Sequence, residues 1–167
     1  MSEGIRVAAI CDANVLIDYV KADEDLIREL VAFWAFWGKV FVPDIVLFEV
    51  KQLPFARAEE LGLTIIETPL TLPLGAGLSG PDRACLHYVL ERGWTCLAND
   101  RHLRNECIKQ SGRVVWGLEM LLILVSDRRI TKARARDIAI KINEDNPVIT
   151  KNVLDDFLEK LNEFKVG

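Results

Sequence analysis

The sequence predicts a three-layer α/β/α fold, in which helices cover a central, mainly parallel, five-stranded sheet and further helices follow at the C-terminus. Short apolar runs alternate with longer helical stretches along the chain. The first run, residues 5–11 (IRVAAIC), is almost continuously apolar, as expected of a strand buried on both faces. Half of the 167 residues are hydrophobic. We therefore expect one domain over residues 1–167, with an α/β core over 1–117 and C-terminal helices over 118–167.

The predicted elements follow one another in a regular order. Strands are predicted at residues 5–11, 40–42, 63–67, 95–98 and 114–116. Helices are predicted at residues 14–20, 25–37, 44–53, 55–61, 79–92, 100–111, 118–126, 131–142 and 150–164. Asp44 and Ser79 are suitable N-cap residues, and Gly93 and Gly112 are suitable residues to follow a helix end. The Pro/Gly-rich stretch 69–78 is predicted as a loop.

The charge balance limits the classes of partner. The formal net charge is -4, which argues against broad, non-specific binding of nucleic acid. It does not exclude a metal-dependent nuclease, because clustered carboxylates lower the net charge and bound cations reverse its sign locally.

The cysteines and the hydropathy pattern indicate a cytoplasmic protein. The four cysteines form no CxxC pair, and we expect all of them to be reduced core residues: Cys11, Cys85, Cys96 and Cys107. The longest apolar stretch, residues 120–125, is too short to span a bilayer, so no membrane partner is expected. No targeting peptide is recognisable at the start of the sequence.

Four acidic residues fall at or near the carboxyl edge of the predicted sheet. Asp12 directly follows the first strand, and Asp100 follows the fourth. Glu49 is expected within the helix after the second strand, and Asp82 in the first turn of the helix before the fourth. In an open parallel sheet the binding crevice forms at this edge, and the first and fourth strands are expected to be neighbours at its switch point.

Clustered carboxylates are unfavourable without a cation, and Mg²⁺ or Mn²⁺ offsets their repulsion through oxygen ligands. Metal ions bound in this way can promote hydrolysis of a phosphodiester. Each acid also has a purely structural interpretation. Asp12 and Asp100 could be N-caps, Asp82 could complete a capping box with Ser79, and Glu49 could be a solvated helix residue.

Four segments carry a resemblance to a known family. They are ICDANVLID, VPDIVLFEV, LSGPDRACLHYVLERG and CLANDRHLR. In order and context they resemble the motifs of PIN-domain nucleases, which include the toxins of VapBC toxin–antitoxin pairs and several RNA-processing enzymes. The resemblance covers residues 5–116. It implies a PIN-like fold and a ribonuclease that hydrolyses RNA with Mg²⁺ or Mn²⁺. The catalytic and metal-binding residues would be Asp12, Glu49, Asp82 and Asp100.

The resemblance also suggests supporting residues. Asn14 matches a small polar residue that supports the first acid. Ala13 and Ala98 stand where many family members have a hydroxyl residue, and Asn99 is a candidate to compensate in part. Arg101 and Arg104, one helical turn apart, are candidates for phosphate contacts, with an ordinary solvated helix face as the alternative.

The resemblance and the aromatic residues together suggest protein partners. Phe33, Trp34, Phe36 and Trp37 crowd one helix, and those outside the core are expected to form a homodimer surface or an antitoxin-docking groove. A catalytically weak or inactive PIN-like module that binds RNA or protein remains the main alternative, beside a role in RNA maturation. A phosphatase of the haloacid dehalogenase kind is disfavoured, because Asn14 stands where that chemistry needs a second acid.

Overall fold

A computed structural model describes residues 8–75 and 77–164. It contains a five-stranded, all-parallel sheet surrounded by helices, which confirms the predicted three-layer fold. The strands are β1 (Ala9–Cys11), β2 (Val40–Pro43), β3 (Thr64–Ile66), β4 (Thr95–Leu97) and β5 (Arg113–Val115). All five lie within two residues of the predicted positions, except that residues 5–7 of the first predicted strand lie outside the described residues.

Nine helices occur over the described ranges. They are α1 (Ala13–Asp23), α2 (Leu26–Ala35), α3 (Asp44–Leu47), α4 (Phe55–Glu60), α5 (Gly80–Arg92), α6 (Arg101–Lys109), α7 (Gly117–Ser126), α8 (Lys132–Asp145) and α9 (Lys151–Glu163). Ser79 caps α5 as predicted, and Gly93 follows it in the left-handed conformation with φ 68°. None of these helices is both long and apolar enough to cross a membrane.

The strand order places a switch point at the centre of the sheet. The order is β3-β2-β1-β4-β5, so the chain first builds outward from β1 through β2 to β3 and then returns to β4 on the other side. Cys11 at the end of β1 pairs with Leu97 at the end of β4. The residues that follow these two strands therefore emerge side by side, as the sequence predicted.

The central strands β1 and β4 are largely apolar, as expected where helices cover both faces of a parallel sheet. Every residue of β1 and β4 is buried. The four cysteines are also buried and unpaired, as predicted from their apolar surroundings. This continuous core fixes the sheet and so gives the loops at its carboxyl edge a rigid base.

The helix predicted at residues 44–53 is much shorter in the structure, and this part of the prediction was wrong. It ends at Leu47, and tighter turns follow. In these turns the backbone amide of Glu49 donates to the Val46 carbonyl, and the backbone amide of Leu53 donates to the Val50 carbonyl. These turns bury Val50 and Leu53 in the core and leave Glu49 exposed on a turn.

The cap of this short helix also differs from the prediction. Pro43 is its N-cap, and Asp44 is the first helical residue. The Asp44 carboxylate accepts from the amides of Ile45 (2.7 Å) and Thr68 (3.1 Å). It therefore joins the start of α3 to the residues that follow β3.

The C-terminal helices pack onto the α/β core. α8 lies against α1, and α9 lies against both α7 and α8. Arg134 of α8 donates to Asp23 at the end of α1, with a distance of 2.8 Å from Nε to Oδ2. Residues 118–164 are thus continuous with the helical layer that contains α1.

Candidate functional site

Asp12 occupies the switch point of the sheet. Its amide donates to the carbonyl of Leu97 at 3.0 Å, which ties it to the end of β4. Its Oδ1 accepts from the amide of Val15 at 2.9 Å and so caps α1. The residue is only 1% exposed, and within the described part of the chain its Oδ2 has no hydrogen-bond partner. One carboxylate oxygen thus caps α1, and the other is buried without a hydrogen bond of normal geometry from the described residues.

The surroundings of Asp12 disfavour its charged form. The pKa of Asp12 is raised to about 7 as the net result of several effects: burial raises it most, the Val15 amide lowers it, and the negative charge of Asp82 raises it. The amides of Asn99 and Asp100 also lower the pKa of Asp12, although neither donates a hydrogen bond of normal geometry to Oδ2. Near neutral pH this carboxylate is therefore divided between its protonated and ionised forms.

Asp82 lies in the first turn of α5, where its amide donates to Ser79 Oγ at 3.2 Å. Burial raises the pKa of Asp82, the charge of Asp100 raises it further and that of Glu49 adds to the rise, while the Ser79 hydroxyl lowers it. Asp82 thus interacts electrostatically with each of the other three predicted acids, since it also perturbs Asp12. Asp12, Glu49 and Asp100 therefore lie within electrostatic range of Asp82.

Asp100 follows β4 and caps α6, because its Oδ1 accepts from the Leu103 amide at 2.9 Å. Asp12 and Asp100 therefore both act as N-caps, and each uses only Oδ1 for this purpose. The structural interpretation considered for these two residues is thus correct. It does not use up their capacity as ligands, since a carboxylate has a second oxygen.

The four acids do not form an assembled ligand set. Over residues 8–75 and 77–164, no three His, Cys, Asp or Glu side chains lie together as a ready-made metal-binding group. Repulsion between like charges opposes close approach of several ionised carboxylates. Glu49, on its exposed turn, is the member of the set least fixed by surrounding structure.

The two predicted supporting residues have different surroundings. Asn14 is exposed in the first turn of α1, and the described residues provide no hydrogen bond between its side chain and Asp12. Asn99 is buried, and its amide group lies between two other elements: Nδ2 donates to Asp18 at 2.8 Å, and Oδ1 accepts from the Gly117 amide at 2.9 Å.

The two candidate phosphate-binding arginines are on α6. Arg101 is exposed. Arg104 is partly buried, and its guanidinium carbon lies 3.5 Å from the centre of the Trp116 ring. Burial lowers the pKa of Arg104 and so does the charge of Arg101, whereas Asp100 raises it. The Arg104 guanidinium therefore lies over the Trp116 ring and within electrostatic reach of Asp100.

Asp18 is a buried acid that the sequence reasoning missed. It lies on the inner face of α1 and is 6% exposed. Burial raises the pKa of Asp18, while hydrogen bonds from Asn146 and Asn99 lower it. Its helical spacing from Val15 and Ala22, both buried, was a signal in the sequence that could have identified it as inward-facing.

Comparisons with family models, curated proteins and solved structures gave no match to the chain.

Proposed function

We propose that the protein is a metal-dependent ribonuclease that hydrolyses RNA phosphodiester bonds at the edge where β1 and β4 end. The observation that supports this most directly is the buried Oδ2 of Asp12, which has no partner within the described residues. An unpaired, buried carboxylate oxygen is unfavourable in a fold that has no use for it. Coordination of a divalent cation would offset this cost, and hard cations prefer oxygen ligands of this kind.

The residues that would hold Mg²⁺ or Mn²⁺ are Asp12, Glu49, Asp82 and Asp100. All four are oxygen donors, and the electrostatic interactions of Asp82 with the other three favour binding of a positive charge among them. When bound, such a cation lowers the pKa of a coordinated water and stabilises negative charge on a phosphate. Asp12 and Asp100 would present Oδ2 while Oδ1 keeps each helix capped.

Arg101 and Arg104 are proposed to bind phosphates of the RNA beside these acids. Arg104 follows Asp100 by one helical turn, and the contact of its guanidinium with the Trp116 ring restricts the side chain. Fixed orientation favours a guanidinium as a phosphate ligand, because less side-chain entropy is lost on binding.

The resemblance to PIN-domain nucleases extends this proposal to biology. The protein would act in the cytoplasm, either as the toxin of a VapBC-type pair with an antitoxin partner or as an RNA-maturation nuclease. It would form a homodimer through the aromatic end of α2, where Phe36 is 84% exposed. The alternative is a catalytically weak or inactive RNA- or protein-binding module. That alternative is favoured by the lack of three assembled ligands among the described residues and by Ala13 and Ala98.

The test is cleavage of a mixed-sequence RNA with Mn²⁺, with and without chelator, by the native protein, Asp12→Asn and Asp155→Asn. Asparagine caps helices as well as aspartate, so Asp12→Asn removes the charge and keeps the cap. Asp155 is an exposed residue of α9 paired with Lys151, so its substitution makes the same charge change away from the site. Chelator-sensitive cleavage lost only in Asp12→Asn supports the ribonuclease. Equal background in all samples supports the binding module.

A further inference from the structure

A polar network, buried at Asp18 and Asn99 and partly buried at Asn146, joins three parts of the chain behind the acidic edge. Asp18 of α1 accepts from Asn99 at 2.8 Å and from Asn146 at 3.1 and 3.2 Å. Asn99 follows β4, and Asn146 is the C-cap of α8. Asn99 in turn accepts from the amide of Gly117 at 2.9 Å, so both polar ends of its side chain are used.

The network fixes the backbone that carries Asp100. Asn99 is the residue immediately before Asp100, and both of its side-chain hydrogen bonds reach residues far away in the sequence. Space around it is limited, because a Cβ added at Gly117 would lie 3.0 Å from Asn99 Oδ1. The peptide between Asn99 and Asp100 therefore has little freedom to turn away from Asp12.

A structural role in the core alone does not explain an aspartate at position 18. Burying a carboxylate is costly, and well-packed apolar residues often stabilise a core equally well or better. The gain from a satisfied polar group is that it selects one arrangement of the groups bonded to it. Here the selected group is the loop that carries Asp100.

We propose that Asp18 is a positioning residue for the metal site. Through Asn99 it holds the loop that carries Asp100 in place beside Asp12, and through Asn146 it makes the position of this loop depend on the end of α8. The expected effect on metal binding rests on the proposed function. The positioning of the loop itself can be measured in metal-free protein.

The experiment compares Asp18→Ala, Asp18→Asn and the control Asp23→Ala in the full chain. Asp23 is also on α1 and also bonds to α8, through Arg134, but it does not contact Asn99. The first readout is hydrogen exchange of the Leu103 amide, which donates to Asp100 Oδ1, by NMR without metal. The second is Mn²⁺ affinity, measured by electron paramagnetic resonance.

We expect Asp18→Ala to speed exchange of the Leu103 amide and to weaken Mn²⁺ binding by about tenfold, the lower end of the effect of residues that orient ligands. Asp18→Asn keeps one oxygen for Asn99, so its exchange rate and affinity should lie between those of the native protein and of Asp18→Ala. Asp23→Ala should leave the Leu103 exchange rate and the Mn²⁺ affinity at native values after correction for global stability.

Equal effects of Asp18→Ala and Asp23→Ala on both readouts would overturn the positioning role, because each would then act only through the contact between α1 and α8. Should Asp18→Ala fail to fold, Asn146→Ala decides the question by the same readouts, since it removes one arm of the network. If the native protein binds no Mn²⁺, the proposed function fails, but the exchange rates still show whether Asp18 positions Asp100.

Discussion

Replacing Asp12 by asparagine should change how stability depends on pH in the absence of metal. Burial places the pKa of Asp12 at about 7 in the folded protein, against an ordinary value of 3.8. The folded state therefore holds this proton more tightly than the unfolded state. The stabilisation is complete below pH 3.8 and is lost as the pH rises towards 7. Asparagine has no proton to lose in this range.

The magnitude follows from the size of the shift. A difference of about three pH units corresponds to about 4 kcal/mol between the fully protonated and fully ionised limits. Between pH 5 and pH 8, the range convenient for measurement, linkage gives a loss of about 2.5 kcal/mol for the native protein from Asp12 alone. Asp82 and Asp18 also have raised pKa values and add a loss of the same sign in both proteins.

The assay is urea unfolding in EDTA at several pH values. The free energy of unfolding should fall more steeply with rising pH in the native protein than in Asp12→Asn, by about 2.5 kcal/mol across the range. The difference in slope is the diagnostic quantity. The absolute difference at one pH also contains the cost of burying the new amide nitrogen, about 1–3 kcal/mol if it stays unpaired.

Parallel pH profiles for the two proteins would refute this reasoning. They would mean that Asp12 ionises normally in the folded chain and that its Oδ2 is solvated, which would remove the main support for a cation site. A control is Asp155→Asn on exposed α9, whose profile should coincide with that of the native protein.

Three further outcomes are expected. Gly117→Ala should lower the free energy of unfolding, measured in urea, by about 1–3 kcal/mol, because the added Cβ would displace the Asn99 side chain. An unchanged urea midpoint would contradict this close packing. Asp100→Ala should cost about 1 kcal/mol through loss of the α6 cap, whereas Asp100→Asn should cost little and both should abolish RNA cleavage. Retained cleavage in Asp100→Asn would remove Asp100 from the catalytic set. Phe36→Asp should convert the proposed homodimer to a monomer in size-exclusion chromatography with light scattering; a native elution profile would place the interface elsewhere.

The sequence predicted the sheet well because its signals are local. The run that contains β1 is almost continuously apolar, and turn or capping residues lie near the strand ends, so five strands in a mainly parallel sheet could be predicted. The end of α3 at Leu47 could not be predicted in this way. Residues 44–53 have no helix breaker, and the chain leaves the helix because tighter turns bury Val50 and Leu53. That choice depends on tertiary packing, which outweighs the local preference.

The site was predictable in position but not in detail. Asp12 and Asp100 could be assigned to one edge, since Asp12 directly follows β1, Asp100 comes shortly after β4, and these two strands proved to be neighbours. The network around Asp18 was beyond reach, because its partner Asn146 lies 128 residues away. The helical spacing of Asp18 from Val15 and Ala22 indicates that it faces inward, but it does not show which residues it bonds to. Only the packing of α8 on α1 reveals why it is buried.

The N-cap and ligand interpretations of Asp12 are compatible, and together they favour the proposed site. Capping of α1 needs one oxygen acceptor, which serine, threonine or asparagine would supply without burying a charge. The structure instead has a carboxylate that is 1% exposed, with one oxygen left over, beside the negative charge of Asp82. A cap alone therefore explains the hydrogen bond of Oδ1. It does not explain why a charged group is buried or why Oδ2 lacks a hydrogen bond from the described residues. A bound cation accounts for both observations at once, and it also gives a reason for Asp82 and Asp100 to lie beside Asp12 at the switch point.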